Sequence, residues 1–168
     1  MGGGGGAYSF SEGELRSLEE KARQALSERE APERRNVFIS FAYEDVQQVN
    51  LLRGQARNED SDIEFNDWSL QEPFDSDRAE YIRAGIRERI NQCSVTVVFV
   101  SDHTAASKWV DWEIRESVRL GKGVVAVYSG HAPARLPAAL AGIGVSPIPW
   151  THDGISRAIA AVAANRQP

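Results

Sequence analysis

An α/β fold, in which helices cover both faces of a parallel sheet, is predicted by three observations. Three short runs are apolar almost throughout, Val37–Phe41, Val95–Val100 and Val124–Tyr128, the pattern of strands buried on both faces. Segments of helical period alternate with them along the chain. The composition, 42% hydrophobic and 26% charged over 168 residues, is that of one folded domain with a short appendage.

Taken in order, the elements begin with Ser11 and Glu14, spaced as a capping box, followed by Leu15, Leu18, Ala22 and Leu26 at helical steps. An amphipathic helix over Ser11–Ser27 is predicted. Glu28–Arg35 carries Pro32 and mixed charge, so residues 1–35 are expected to be a glycine-rich start, a helix and a linker, and residues 36–168 the main domain. After the first strand, Asp45–Arg57 reads as a helix with Val46, Val49, Leu52 and Ala56 on one side. Asp62–Asn66 is a more polar strand, nearer an edge, and Asp67–Phe74 is a loop containing Pro73.

Asp75 or Ser76 is expected to cap a helix through Asn91, whose period in Ala79, Ile82, Ile86 and Ile90 extends to Cys93. Cys93 therefore reads as a small buried apolar residue rather than a nucleophile. The strand Val95–Val100 is followed by a helix over Ser107–Leu120 and by the strand Val124–Tyr128. Leu136–Ala141 is a short helix, Pro147–Trp150 a last strand, and Thr151 or Asp153 caps a final helix ending near Asn165. Five βα units make a flavodoxin-like, doubly wound, five-stranded sheet of order 2-1-3-4-5, with an extra N-terminal helix. Ligands of such sheets bind where the winding reverses, beyond the carboxyl ends of strands 1 and 3.

Composition and motifs exclude several functions. A net charge of −5 offers no footprint for nucleic acid or anionic lipid. With a single cysteine there is no intramolecular disulfide, and His103, His131 and His152 lack metal-ligand spacing. No run approaches the length of a membrane span, and Met1–Gly6 has neither region of a signal peptide, so a cytoplasmic location is expected. Gly-x-Gly-x-x-Gly, P-loop, Gly-x-Ser-x-Gly and His-Glu-x-x-His motifs are all missing.

Within Ser107–Val118 the helical spacing separates three carboxylates. Asp111 has Lys108 at i−3 and Arg115 at i+4, and Glu116 has Arg119 at i+3; both read as solvated pairs. Glu113 has Trp109, Val110, Glu116 and Ser117 as its neighbours, with no cation on its own helix. A desolvated carboxylate beside an indole is suited to stabilise developing positive charge. Pairing with a distant Arg, or simple exposure to water, is the open alternative. On that footing Glu113→Gln is expected to leave the melt nearly unchanged.

Phe38-Ile39-Ser40-Phe41, the loop after strand 2, the strand Val95–Ser101 and Trp109-Val110-Asp111-Trp112-Glu113-Ile114 together resemble a Toll/interleukin receptor (TIR) domain. More closely, Phe38–Val46 with Val49-Asn50 and Asp67-Trp68-Ser69-Leu70 is similar to the TIR-like proteins of the bacterial Thoeris anti-phage system. The resemblance covers Asn36–Tyr128. It implies a TIR-like fold and an enzyme that breaks the nicotinamide–ribose bond of NAD, its substrate rather than its cofactor, and releases a cyclic or modified ADP-ribose signal. A downstream effector would sense that signal, self-association would complete the site, and a phage-derived activator could be the trigger.

Carried onto this chain, the resemblance makes Glu113 the catalytic residue, with Ser40, Phe41, Tyr43, Asp67, Trp68, Ser69 and Trp109 binding substrate. Ala42 stands where many NAD-cleaving TIR domains have a basic residue, which leaves Arg53 or Arg83 as replacements for a phosphate contact. Two other readings compete. One is a non-catalytic TIR adaptor acting by self-association. The other is a response-regulator receiver using Glu44, Asp45 and Asp102, but Thr151 and His152 follow strand 5 where a receiver needs lysine.

Overall fold

The computed structural model describes residues 11–30, 35–58, 63–66 and 73–164. In chain order these form α1 (Glu12–Glu30), β1 (Arg35–Ser40), a 3-10 turn (Tyr43–Asp45), α2 (Val46–Asn58), β2 (Ile63–Asn66), α3 (Ala79–Gln92) and β3 (Val95–Phe99). A second 3-10 turn (Thr104–Ala106) leads to α4 (Lys108–Arg119), β4 (Gly123–Tyr128), α5 (Ala138–Ile143), β5 (Ile148–Pro149) and α6 (His152–Ala164). The chain divides into two units, Met1–Glu33 and Arg34–Pro168.

In the first unit the capping box is reciprocal. Glu14 N donates to Ser11 Oγ at 3.3 Å, and Ser11 N donates to Glu14 Oε2 at 2.8 Å, so two amides that a helix start leaves unpaired are satisfied. Leu15 and Leu18, two of the apolar positions of this helix, are half exposed.

The second unit is built on a sheet of order β2-β1-β3-β4-β5 in which every pair is parallel. Side chains alternate across it, as a pleated strand requires. Val37, Ile39, Val95, Val97, Phe99, Val125 and Val127 meet Val49 and Leu52 of α2 and Ile155 and Ile159 of α6 on one face. Val98, Val124 and Ala126 meet Val110 and Ile114 of α4 and Leu140 of α5 on the other, where Phe38 packs with Ile86 and Ile90 of α3. Cys93 is buried in that last cluster.

One expected cap is corrected. Neither Asp75 nor Ser76 caps α3; the helix starts at Ala79, with Arg78 at the cap position and no side-chain cap bond. Residues 73–78 form successive turns instead, in which Ser76 N donates to Pro73 O at 3.1 Å and Ala79 N to Ser76 O at 3.1 Å. Phe74 and Asp75 are thereby carried toward α4. At α6 the cap is Thr151, whose Oγ1 accepts from Gly154 N at 3.0 Å. Among the described residues no helix is long and apolar enough to cross a membrane.

Candidate active site

Helix α4 carries the central group. Ser107 caps it, its Oγ accepting from Val110 N at 3.2 Å, and Val110 and Ile114 anchor one side in the core. Further down, Ser117 Oγ donates to Glu113 O at 2.7 Å and lies 2.7 Å from Thr96 Oγ1 of β3. With the serine proton engaged, the threonine hydroxyl is the donor of that second bond. A buried polar link thus ties the Glu113 backbone to the sheet.

The Glu113 side chain is buried, 5% exposed, and among the described residues it forms no ion pair. Burial pushes its carboxyl well above the usual range, opposed by the Ser40 hydroxyl at the end of β1. That contact falls short of a formed hydrogen bond: Ser40 Oγ is buried and makes none. Alternation along β1 explains the meeting, since Phe38 and Ser40 share the sheet face on which α4 lies.

A cleft of about 290 Å³ opens above Glu113, at the carboxyl ends of β1 and β3. Phe41, Tyr43 and Glu44 line it from the loop after β1, and Pro73 and Phe74 from the segment before α3. His103, Ala106 and Ser107 follow β3, and Lys108, Trp109 and Glu113 belong to α4. Four residues singled out in the sequence therefore meet there: Phe41, Tyr43, Trp109 and Glu113. Ser40 is fully buried and touches the carboxylate rather than the cleft. Asp67, Trp68 and Ser69 lie outside the described residues.

The walls are held by neighbouring groups. Trp109 stands edge-on to Phe74, with ring centres 5.0 Å apart, and to Trp112 at 6.1 Å. Arg83 lies 4.2 Å over the Phe74 ring and donates to Phe74 O and to Glu80 Oε2, both at 3.0 Å. It buttresses the wall, and neither it nor Arg53 lines the cleft. On the far side Ser101 Oγ donates to Asp45 Oδ2 at 2.5 Å and accepts from His103 N at 3.1 Å, which locks the loops after β1 and β3 together. Burial raises the Asp45 carboxyl, while the Ser101 bond and the nearby His103 oppose it.

Two carboxylates differ from their sequence reading. Asp111 pairs with Arg115 at 2.7 Å and also accepts from Ala139 N at 3.0 Å, whereas Lys108 reaches Asp75 at 3.3 Å. Glu116 is buried rather than solvated, because Arg87 of α3 joins Arg119 on it; these bonds, Arg119 foremost, hold its carboxyl below the usual value. Glu44, Phe74, His103 and Lys108 are cleft residues that the sequence did not single out as substrate-binding. Glu44 and His103 follow the strand ends at which the winding reverses and Lys108 stands beside Trp109, whereas Phe74 carries no such signal. Among the described residues no group of His, Cys, Asp and Glu could hold a metal ion.

Residues 38–133, more than half of the chain, match the family model described as Thoeris protein ThsB, TIR-like domain. The chain belongs to this family. Every lining residue of the cleft falls inside the ThsB TIR-like match. Among solved structures the protein is similar to the TIR domain of the Toll-related receptor TRR-2 from Hydra magnipapillata, with 17% identity, 74% of this chain and 91% of that one covered, and a TM-score of 0.46. It is also similar to the CMP N-glycosidase BcmB of Clostridium botulinum (14% identity, 75% and 99% covered, TM-score 0.45). A third similarity is to the TIR domains of the activated Roq1 resistosome that recognises the pathogen effector XopQ (19% identity, 79% and 85% covered, TM-score 0.44). No curated protein matches the ThsB TIR-like chain.

Proposed function

We propose that this ThsB TIR-like protein cleaves the nicotinamide–ribose bond of NAD and releases nicotinamide and a cyclic or otherwise modified ADP-ribose, with Glu113 as the catalytic carboxylate. The observation that carries the reading is a desolvated carboxylate, unpaired with any cation among the described residues, below a cleft walled by Phe41, Tyr43, Phe74 and Trp109. A buried anion without a countercharge is costly until a cation arrives. The ribosyl pyridinium is such a cation.

As the C–N bond breaks, its electron pair passes to the ring nitrogen, nicotinamide leaves neutral, and the positive charge moves onto the ribose. No general acid is needed for that departure, so one carboxylate serves where ordinary glycosidases use two. Glu113, fixed in a low-dielectric pocket, stabilises the oxocarbenium-like sugar. Water captures that cation to give ADP-ribose with loss of a proton, or an atom of the same molecule captures it to close a ring. Trp109 and Tyr43 flank the leaving base. NAD is thus a substrate and not a resident cofactor.

In this reading the product is a signal made in the cytoplasm during phage infection and sensed by an effector. Self-association completes the site through Asp67–Phe74, and a phage-derived component is the trigger. The test is chromatography with mass detection of NAD incubated with the wild type and with Glu113→Gln, with and without lysate from infected cells. Nicotinamide release that is lost in the variant is expected. No turnover under any condition would overturn the reading and favour the self-associating adaptor.

A further inference from the structure

Two clefts share the start of α4. The second, about 440 Å³, is lined by Phe74, Ala106, Ser107 and Lys108 in common with the first, and continues to Trp112 and Arg115. Helical geometry explains the pair: Trp109 and Glu113 form one stripe of α4, while Lys108, Asp111, Trp112 and Arg115, at i, i+3, i+4 and i+7, form the adjacent one. Lys108 and Arg115 are therefore separated by about 10 Å along the axis.

The first cleft alone is small for the proposed substrate. Its volume lies at the lower end of the roughly 300–1,000 Å³ typical of ligand sites, room for a base with its sugar rather than a dinucleotide. Resting on the NAD-cleaving reading, we infer that the second cleft holds the adenosine diphosphate half of the substrate. Lys108, on the rim common to both clefts, receives the diphosphate. Its present bond to Asp75 is between two exposed side chains and is weak, so it yields readily to a phosphate.

Beyond the rim the lining suits a flat base. Phe74 and Trp112 offer ring surface, and Ala105, Ala106 and Ala138 leave room beside them. Arg115 closes the far end, exposed and supported at 2.7 Å by Asp111. Asp111 is already satisfied by Arg115 and Ala139 N, so it adds little repulsion toward an anion.

The test is calorimetric titration of full-length Glu113→Gln protein, which holds substrate without turning it over, using NAD, ADP-ribose and nicotinamide mononucleotide. Adding Arg115→Glu should weaken NAD and ADP-ribose roughly tenfold, the size of one charge-assisted contact, and leave the mononucleotide within about twofold. Lys108→Glu should weaken all three, since each carries a phosphate to the rim. Arg115→Gln, which removes only the charge, should fall between. NAD binding that is insensitive to Arg115→Glu, or a mononucleotide weakened as much as NAD, overturns the subsite. No binding of NAD to the parent protein overturns the NAD-cleaving reading itself.

Discussion

Glu113→Gln exchanges a buried carboxyl for an amide of the same shape, and its effect on stability depends on pH in a defined direction. Burial raises the folded-state value of Glu113 above that of the unfolded chain. Glu113's contribution to folding stability is therefore complete below the ordinary carboxylate range and is lost as pH climbs through the raised value, because the proton that folding favours must be given up. A buried polar group lacking partners costs about 1–3 kcal/mol, and a charge more. Glutamine retains the polar share and removes the charge, so a gain on the order of 1–2 kcal/mol is expected in alkali. For a chain of this size each kcal/mol raises Tm by about 2–4 °C. Thermal melts of both proteins between about pH 4 and pH 9 should coincide at the acid end and diverge in favour of the variant as pH rises. A variant that melts lower throughout, or by a constant amount at every pH, would refute the argument and make Glu113 a structural residue. The expectation of an unchanged melt from sequence assumed a carboxylate that folding neither helps nor harms; 5% exposure removes that assumption.

Two further predictions test the surroundings of Glu113 and of the sheet. Ser40 is the group opposing the effect of burial, so Ser40→Ala should move the acid limb of kcat/KM for NAD to higher pH while the melt changes by less than about 1 kcal/mol, since Oγ makes no hydrogen bond to lose; an unshifted limb would contradict its role. At Gly123 an added Cβ would stand 2.8 Å from Val162 Cγ2 and 2.9 Å from its Cβ, so Gly123→Ala should destabilise by about 1–3 kcal/mol, and Val162→Ala in the same chain should restore most of it in denaturant melts.

How far the site could be read from sequence depended on the range of the interactions involved. Glu113 was separable from Asp111 and Glu116 because helical spacing enumerates neighbours on one element, and Trp109 followed by the same rule. The alternating faces of the sheet were legible in the apolar runs at Val37, Val95 and Val124. What escaped involved partners distant along the chain. Arg87 on α3 turns Glu116 from a surface residue into a buried one, and Asp75 leaves its expected place at a helix cap to meet Lys108. Ser40 is expected to contact substrate only through the TIR resemblance. Only packing reveals that its hydroxyl lies under the carboxylate. Phe74 gave no periodic signal at all, and its place beside Trp109 comes from the turns of residues 73–78 and from Arg83.

The link from Thr96 through Ser117 to the Glu113 backbone bears on how such a protein could be silenced. Rotating or sliding α4 would strand the Thr96 hydroxyl in the dry interior, since Ser117 keeps its bond to Glu113 O on the same helix, a cost of about 1–3 kcal/mol. The backbone that carries the carboxylate is therefore tied to the sheet. In the NAD-cleaving reading, control would then act at the rim formed by Phe74 and Lys108, on admission rather than on the carboxylate.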